Sequence, residues 1–550
     1  MKIRNIAIIA HVDHGKTTLV DCLLHQSGLF RNNQQVAERA MDSNVLERER
    51  GITILAKCTS VDWSGTRINI VDTPGHADFG GEVERILSMV DGVMILVDAS
   101  EGPMPQTKFV LTKALSLNLN PIVIINKVDR SDQRADQVHD EIFDLFVALN
   151  ANEKQLDFPT LFASAKNGWA TVDPNSPSED MAALFDLIVE HVPPPNVNPG
   201  GEFSLLVTTL ETDPYLGRVL TGRIQSGEVR QNMSIKALNR DSVQIETSRI
   251  TKLLQFRGLE RLPVEEAYAG DIVAIAGFQN ATVSDTLCDN SIKKALKALP
   301  IDPPTLAMTF SINDSPLAGT EGSKVTSREI WNRLEREAEG NVALLVSRTE
   351  DMNAFEVAGR GELQLAVLIE TMRREGYELS ISRPRVIYRQ DEKTGERLEP
   401  IEELFIDVDE EFSGIVVEKI SARKGELTEM QPSGSDKRRL GFLVPSRALI
   451  GYHGEFMTDT RGTGVMNRLF HSYAAYKGPI KGRGKGTLIS MAEGKAAAYA
   501  LWNLEERGPL FVGPGEKIYV GMIIGEHAKG QDLEVNPLKA CLLYTSDAAD

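Results

Sequence analysis

The chain contains no uninterrupted apolar run near the ~18 residues that a membrane-spanning helix needs, so no segment reads as a span. Cysteine is scarce. The four residues Cys22, Cys58, Cys288 and Cys541 form no CxxC pair and no metal-ligand spacing. That usage suits buried thiols in a reducing cytosol. Positive charge is in deficit: 60 Lys and Arg against 78 Asp and Glu leave a net charge of −18, which at face value argues against a nucleic-acid partner. The deficit is uneven, because Ser413 to Lys485 holds 13 basic against 6 acidic residues. An acidic body can therefore carry one basic face. The N-terminus, MKIRNIAIIAHVDHGK, is basic then apolar but has no small-residue cleavage site, and reads as a first strand running into a loop and not as a signal peptide.

What is present is an ordinary globular composition, 42% hydrophobic and 25% charged, over 550 residues. That length is too great for one core and implies about three to five domains. The first 190 or so residues alternate apolar runs with helix-length segments, with strands expected at Ile6–Ala10, Arg67–Asp72, Gly92–Asp98, Pro121–Asn126 and Thr160–Ser164. Such alternation means a parallel sheet with helices on both faces. The Pro- and Gly-rich stretch His191 to Gly201 ends this first domain, 1–198. Residues 201–300 turn to short alternating strands, with breaks at Asp213-Pro214 and Ser226-Gly227, and read as an antiparallel β-barrel. A second linker, Leu299 to Thr305, follows. Residues 303–388 read as a small α+β sandwich with helices over Ser327–Glu339 and Glu362–Glu375. Asp391 to Gly395 makes a turn or linker, and 399–480 repeats the α+β texture. Residues 481–540 have a Gly-rich basic start and an Ala-rich helix over Gly494–Glu506. The last ten residues, CLLYTSDAAD (541–550), continue no pattern, resemble a translated sequencing adapter, and are expected to be a non-native tail that leaves the final domain incomplete.

The sharpest motif is AHVDHGKT, Ala10 to Thr17, between a strand and a helix. The backbone N–H groups of such a loop wrap phosphates, which assigns Asp13, His14, Gly15, Lys16, Thr17 and Thr18 to a nucleotide site. Lys16 would reach the β- and γ-phosphates, and the Thr17 hydroxyl would ligate Mg²⁺. Ala10 stands where the usual pattern has its first glycine, and a structural strand-to-helix turn is the plain alternative. Three further elements each follow a strand: DTPG (Asp72 to Gly75), NKVD (Asn126 to Asp129) and SAK (Ser164, Ala165, Lys166). Asp72 can hold Mg²⁺ through water, and the Gly75 N–H can meet the γ-phosphate. Lys127 would stack over the purine. Asp129 selects the base, since guanine offers two donors to a carboxylate and adenine offers an acceptor; a site built for that pair rejects the wrong base by roughly 10⁴-fold. Four such elements in this order, each at the C-terminal end of a strand, point to GTP.

Hydrolysis needs a positioned water and a switch. Thr53, in RGITI (Arg50 to Ile54), can join Mg²⁺ when its loop closes, and Arg31–Gly51 is charged and poor in core residues, as a switch should be. His76 is the candidate for orienting the attacking water, against the reading of a solvated loop histidine. Val12 and Ile52 are candidates for an apolar gate that holds it back. No arginine finger can be assigned, which implies slow, partner-dependent turnover.

The combination AHVDHGKT, RGITI, DTPGHADF and NKVD resembles the translational GTPases, the elongation factor G and Tu class. DPYLGRVLTGRIQSG resembles their second-domain barrel, and GRGELQL (Gly359 to Leu365) resembles the opening of a helix in the third domain of elongation factor G. VPSRALIGYHGEFMTDTRGTG (Val444 to Gly464) resembles the BipA/TypA family, and the likeness continues to Lys539. Gln364 departs from the histidine that many members carry. Only about ten residues separate Tyr388 from Glu399, so the large extra domain of elongation factor G has no room. The resemblance implies a multidomain α/β chain: a P-loop GTPase domain, a β-barrel, two ferredoxin-like α+β sandwiches (elongation factor G domains III and V) and a BipA-type C-terminal domain. It also implies a cytoplasmic, monomeric, ribosome-triggered GTPase acting in large-subunit assembly or stress-adapted translation, with GTP and Mg²⁺ as ligands and no membrane. Lys477, Lys481, Arg483 and Lys485, spaced with glycines, are candidates for contact with an RNA backbone, with a solvated basic loop as the alternative. Lys437–Arg439 reads as a hairpin tip. A GTP-driven regulatory subunit of a metabolic enzyme, and a binding-only switch, stay open as competing readings at this point.

Overall fold

The computed structural model describes all residues except 1, 29–44, 51–52, 75–76, 175, 177, 259, 299–302, 342, 392–393, 434–436, 481–484 and 540–550. Gly75, His76, Ile52, Lys481, Arg483, most of Arg31–Gly51 and the 541–550 tail therefore lie outside the described residues.

The first domain is a seven-stranded sheet: β1 (Lys2–Ala10), β2 (Lys57–Trp63), β3 (Thr66–Asp72), β4 (Gly92–Asp98), β5 (Asn120–Asn126), β6 (Thr160–Ser164) and β7 (Trp169–Thr171), in the order β2-β3-β1-β4-β5-β6-β7. β3, β1, β4, β5 and β6 run parallel. They are almost wholly buried runs such as NIAIIA and GVMILVD, as a sheet covered on both faces requires. Helices α1 (Lys16–Gln26), α2 (Val45–Arg50), α3 (Gly80–Leu87), α4 (Pro105–Ser116), α5 (Ala135–Ala148), α6 (Glu153–Leu156) and α7 (Ala182–His191) connect the strands. Two apolar clusters form the layers: Leu19, Leu23, Leu184 and Phe185 lie on one, Val83, Leu111, Ile142 and Phe146 on the other. The five expected strands are present. The sequence reading did not locate the antiparallel edge strands β2 and β7.

The second domain is an eight-stranded antiparallel sheet around one core that includes Leu205, Leu220, Ile235 and Ile275. Its first hairpin pairs Ser204–Asp213 with Gly217–Ser226, and Asp213 Oδ1 closes the turn by accepting from the N–H groups of Tyr215 and Leu216 at 2.7 and 2.8 Å. The barrel is stitched to the first domain. Arg67 reaches Asp271 at 3.0 Å, and Arg223 reaches Asp91 at 2.8 Å. Asn5 donates to Asp91 and to the Gly270 carbonyl, both at 3.0 Å, and Ser60 of β2 forms a bridge with Gly258. This partner explains β2, whose sequence KCTSVDW is too polar to announce a strand.

In the third domain, α8 (Ser327–Gly340) and α9 (Glu362–Arg374) pack on a sheet whose central strands are Leu306–Ile312 and Ala354–Gly359. Thr326 and Glu329 form a capping box that starts α8. The fourth domain lays Lys437–Pro445 and Val465–Ala475 on either side of Arg397–Asp409, with α10 (Glu410–Ala422) against them. Residues Arg389–Gln390 pair with Arg397–Leu398, so the link between these domains is a hairpin. The Lys437–Arg439 triplet opens a strand of a second hairpin. Arg438 pairs with Glu410, and Arg439 with Asp407 at 2.8 Å. In the last domain the helix is shorter than expected, Ala498–Glu505, because Gly494–Lys495 pairs as a strand with Lys517–Ile518.

Burial pushes the Asp271 carboxyl up despite Arg67 beside it, so the pair is sensitive to loss of either member. Replacing Asp271 with alanine takes from the buried Arg67 its nearest carboxylate and from Gln255 its acceptor; denaturant titration should show a loss of about 3–5 kcal/mol.

Candidate functional site

Three loops at the C-terminal ends of β1, β5 and β6 converge on a cavity of about 510 Å³, within the usual range for a small-molecule site. Ala10, His11, Val12, Asp13, Gly15, Lys16, Thr17 and Thr18 line one side, with Thr53 beside them. Asn126, Lys127, Asp129, Arg130, Ser164, Ala165 and Lys166 line the other.

The loop after β1 turns through positive φ at Asp13 (64°) and Gly15 (94°). Gly15 satisfies two demands, since a Cβ there would also sit 2.5 Å from the Asn126 amide nitrogen. Ala10 tolerates its methyl because the side chain is 5% exposed and joins the core cluster behind the loop. Asn126 ties three loops together. Its Nδ2 donates to the His14 carbonyl at 2.9 Å, and its Oδ1 accepts from the Ala165 N–H at 3.0 Å.

Of the residues that the sequence assigns to GTP, His14 alone is absent from the cavity lining, and the metal candidate Asp72 lies behind the lining as well. The His14 ring is fully buried, with Nδ1 accepting from the Asp98 N–H at 3.3 Å and Nε2 facing Glu101 at 3.2 Å. Only its backbone remains for a ligand. The sequence reading also missed Asp98. Lys127 Nζ lies 2.6 Å from Asp98 Oδ2, and the Ser100 N–H and hydroxyl donate to Oδ1 at 2.8 and 2.7 Å. Burial alone would push that carboxyl up; the Lys127 and Ser100 hydrogen bonds override it and hold it at about 2. An acidic residue closing an otherwise apolar strand, GVMILVD, was the available signal. Asp129 is exposed and, among the described residues, makes no hydrogen bond or ion pair with protein, so its carboxylate stays open to a ligand.

On the opposite side, Lys16 Nζ donates to the Thr73 carbonyl and lies 2.9 Å from Asp72 Oδ1 without hydrogen-bond geometry. Thr53 Oγ1 is 3.4 Å from Asp72 Oδ2. Asp72 is thus a buried carboxylate with one oxygen short of a hydrogen-bond partner. Among the described residues no three His, Cys, Asp or Glu side chains converge as a metal cage. The hard oxygens of Thr17, Thr53 and Asp72 suit a Mg²⁺ that keeps waters and takes phosphate oxygens. Of the proposed gate, Val12 lines the cavity. Lys477 pairs with Glu426 at 2.8 Å and Lys485 with Glu526 at 3.2 Å, so both are engaged on the surface.

The family description "Elongation factor Tu GTP binding domain" matches residues 1–194, and "Elongation factor Tu domain 2" matches 217–288. "Elongation factor G C-terminus" matches 396–483, and "TypA/BipA C-terminal domain" matches 485–547. The chain is 52% identical over 538 residues to the Large ribosomal subunit assembly factor BipA of Bacillus subtilis (strain 168), spanning 98% of this chain and 87% of the relative. The proteins of the same name in Escherichia coli (strain K12) and Synechocystis sp. are also 52% identical, spanning 98% of this chain and 88% and 90% of theirs. A solved crystal structure from Thermus thermophilus shares the fold with a TM-score of 0.59 at 18% identity, covering 86% of this chain and 97% of its own.

The Asp98 carboxyl sits below its ordinary value of about 3.9, so the stability it brings is complete above about pH 4 and is lost as pH falls towards 2. Lys127→Met removes the largest of the interactions that hold it down, and its acid-unfolding midpoint, followed by circular dichroism, should lie at higher pH than that of the native chain.

Proposed function

Because the chain belongs to the TypA/BipA family of translational GTPases, we propose that it binds GTP in the cavity above and hydrolyses it when docked on the ribosome, in assembly of the large subunit. The observation that carries this reading is the open carboxylate of Asp129 beside Lys127 and the phosphate loop, with Asn126 pinning the loops that present them. In this reading Asp129 accepts from guanine N1–H and N2–H₂, and the Lys127 stem, held by Asp98, covers the purine face. The Ala165 N–H is already bonded to Asn126, so Ser164 and Lys166 carry the remaining contacts of that loop. Asp13, Gly15, Thr17 and Thr18 meet the phosphates, and Lys16 exchanges the oxygens of Thr73 and Asp72 for those of the β- and γ-phosphates.

Thr17, Thr53 and, through water, Asp72 would hold Mg²⁺, which would supply positive charge against the phosphates. Val12 shields the γ-phosphate side. The role of aligning the attacking water falls to His76 and that of the γ-phosphate N–H to Gly75, on their place in DTPGH. The beginning of that motif is anchored by Thr73, whose hydroxyl donates to the Ile8 carbonyl at 2.6 Å. No helix of the described chain is long and apolar enough to cross a membrane. Action on the ribosome supports a cytoplasmic location. Lys477 and Lys485 trade weak surface ion pairs for RNA phosphates.

Two measurements test the proposal. Asp129→Asn should weaken GTP binding by roughly 10²–10⁴-fold and improve binding of xanthosine triphosphate, whose base offers an acceptor where guanine has a donor; unchanged base preference in fluorescent-nucleotide titrations would remove Asp129 from the site. GTP turnover with 70S ribosomes should exceed the intrinsic rate by orders of magnitude, and the excess should shrink as salt rises. A rate indifferent to ribosomes at every salt concentration would refute the docking step while leaving nucleotide binding intact.

A further inference from the structure

Helix α9 of the third domain begins without a capping side chain of its own, since its N-cap residue is Gly361. The acceptor comes from the first domain: Asp78 Oδ2 takes the Leu363 N–H at 2.8 Å. Asp78 is 7% exposed. A Cβ on Gly361 would overlap its carboxylate, and Gly361 has ordinary extended torsions, so glycine is needed there for space alone. A carboxylate at this end also meets the positive pole of a 13-residue helix.

The same helix touches both segments that flank the γ-phosphate side of the cavity. Leu46 and Ile54, on either side of Arg50, and Phe79, beside Asp78, pack with Val367 and Leu363 in one small apolar cluster. Arg374, at the other end of α9, grips Glu49 at 2.5 and 3.0 Å. The fourth domain closes the junction: Arg468 reaches Glu362, the first residue of α9, at 3.0 Å and Glu402 at 3.8 Å. Nearby, Arg360 pairs with Glu84 of α3 at 3.3 Å.

We propose that Asp78 is a positioning residue for hydrolysis: by capping α9 from outside, it fixes the far end of the DTPGH segment to the third domain and lets α9 follow the nucleotide state. Asp78 lies two residues beyond His76 in the chain, and Asp72 and Thr73 hold the near end. The inference rests on the GTPase reading above, and Asp78 itself touches no ligand.

The test uses the full chain. In hydrogen exchange, the amides of 362–365 should be slower with a non-hydrolysable GTP analogue than with GDP; Asp78→Ala and Gly361→Ala should abolish that difference, and Asp78→Asn, which keeps an acceptor, should restore most of it. In turnover with 70S ribosomes, Asp78→Ala and Gly361→Ala should each lower kcat about tenfold or more with the KM for ribosomes and the affinity for GDP unchanged. The double variant should be no worse than the singles, because both break one contact. Equal exchange with both nucleotides in the native chain, or additive losses in the double variant, would overturn the inference. Absence of ribosome stimulation in the native chain would refute the functional reading instead, and the exchange measurement would still decide for or against Asp78.

Discussion

One amide side chain holds the nucleotide site together. Asn126 donates to the carbonyl of His14 and accepts from the N–H of Ala165, so the loops after β1, β5 and β6 keep a common geometry without a ligand. The constraint reaches back into the sequence. Gly15 must lack a side chain because the amide nitrogen lies over its Cα. The motif NKVD must follow a buried strand, since only a strand end fixed in the sheet can aim both groups of the amide. Buried amides with both groups satisfied tolerate no slack. A shift of the sheet by one register would disconnect all three loops.

Much of this was legible before any coordinates. The phosphate loop, DTPG, NKVD and SAK announced themselves because each pairs an apolar strand with residues whose chemistry has few other uses. The central strands were readable for the same reason: burial on both faces leaves an unbroken apolar run. β2 was not: it pairs with β3 on one side, but on the other it meets a barrel segment about 200 residues away in the chain, and Thr59 and Ser60 are spent on that contact. His14 looked like a ligand-facing residue by its place in the loop. Its ring instead fills a buried slot against Asp98 and Glu101, a role set by tertiary neighbours that spacing does not encode.

The junction around α9 was illegible for a related reason. GRGELQL reads as a helix start with a glycine cap, and nothing local says that the cap is completed by Asp78, 285 residues earlier. Its charges are arranged so that acidic groups face a cation from another domain, as Arg360 does for Glu84 and Arg468 for Glu362. Such pairs add little net stability when buried, but they specify one docking geometry over others.

The seam between the first two domains has a mechanical consequence. Arg67, Arg223, Asn5 and the Ser60–Gly258 bridge cross it, and barrel residues Val219, Phe256 and Ile272 belong to the same apolar cluster as Val93 and Ile95. Counted by what can pivot, the protein has fewer parts than domains: the barrel is a rigid handle on the nucleotide-binding body. A push at the handle's outer turn, where Tyr215 stands out in solvent, rotates the whole site without bending it. The third-domain side is joined more sparsely, by ion pairs, isolated hydrogen bonds and one small apolar cluster.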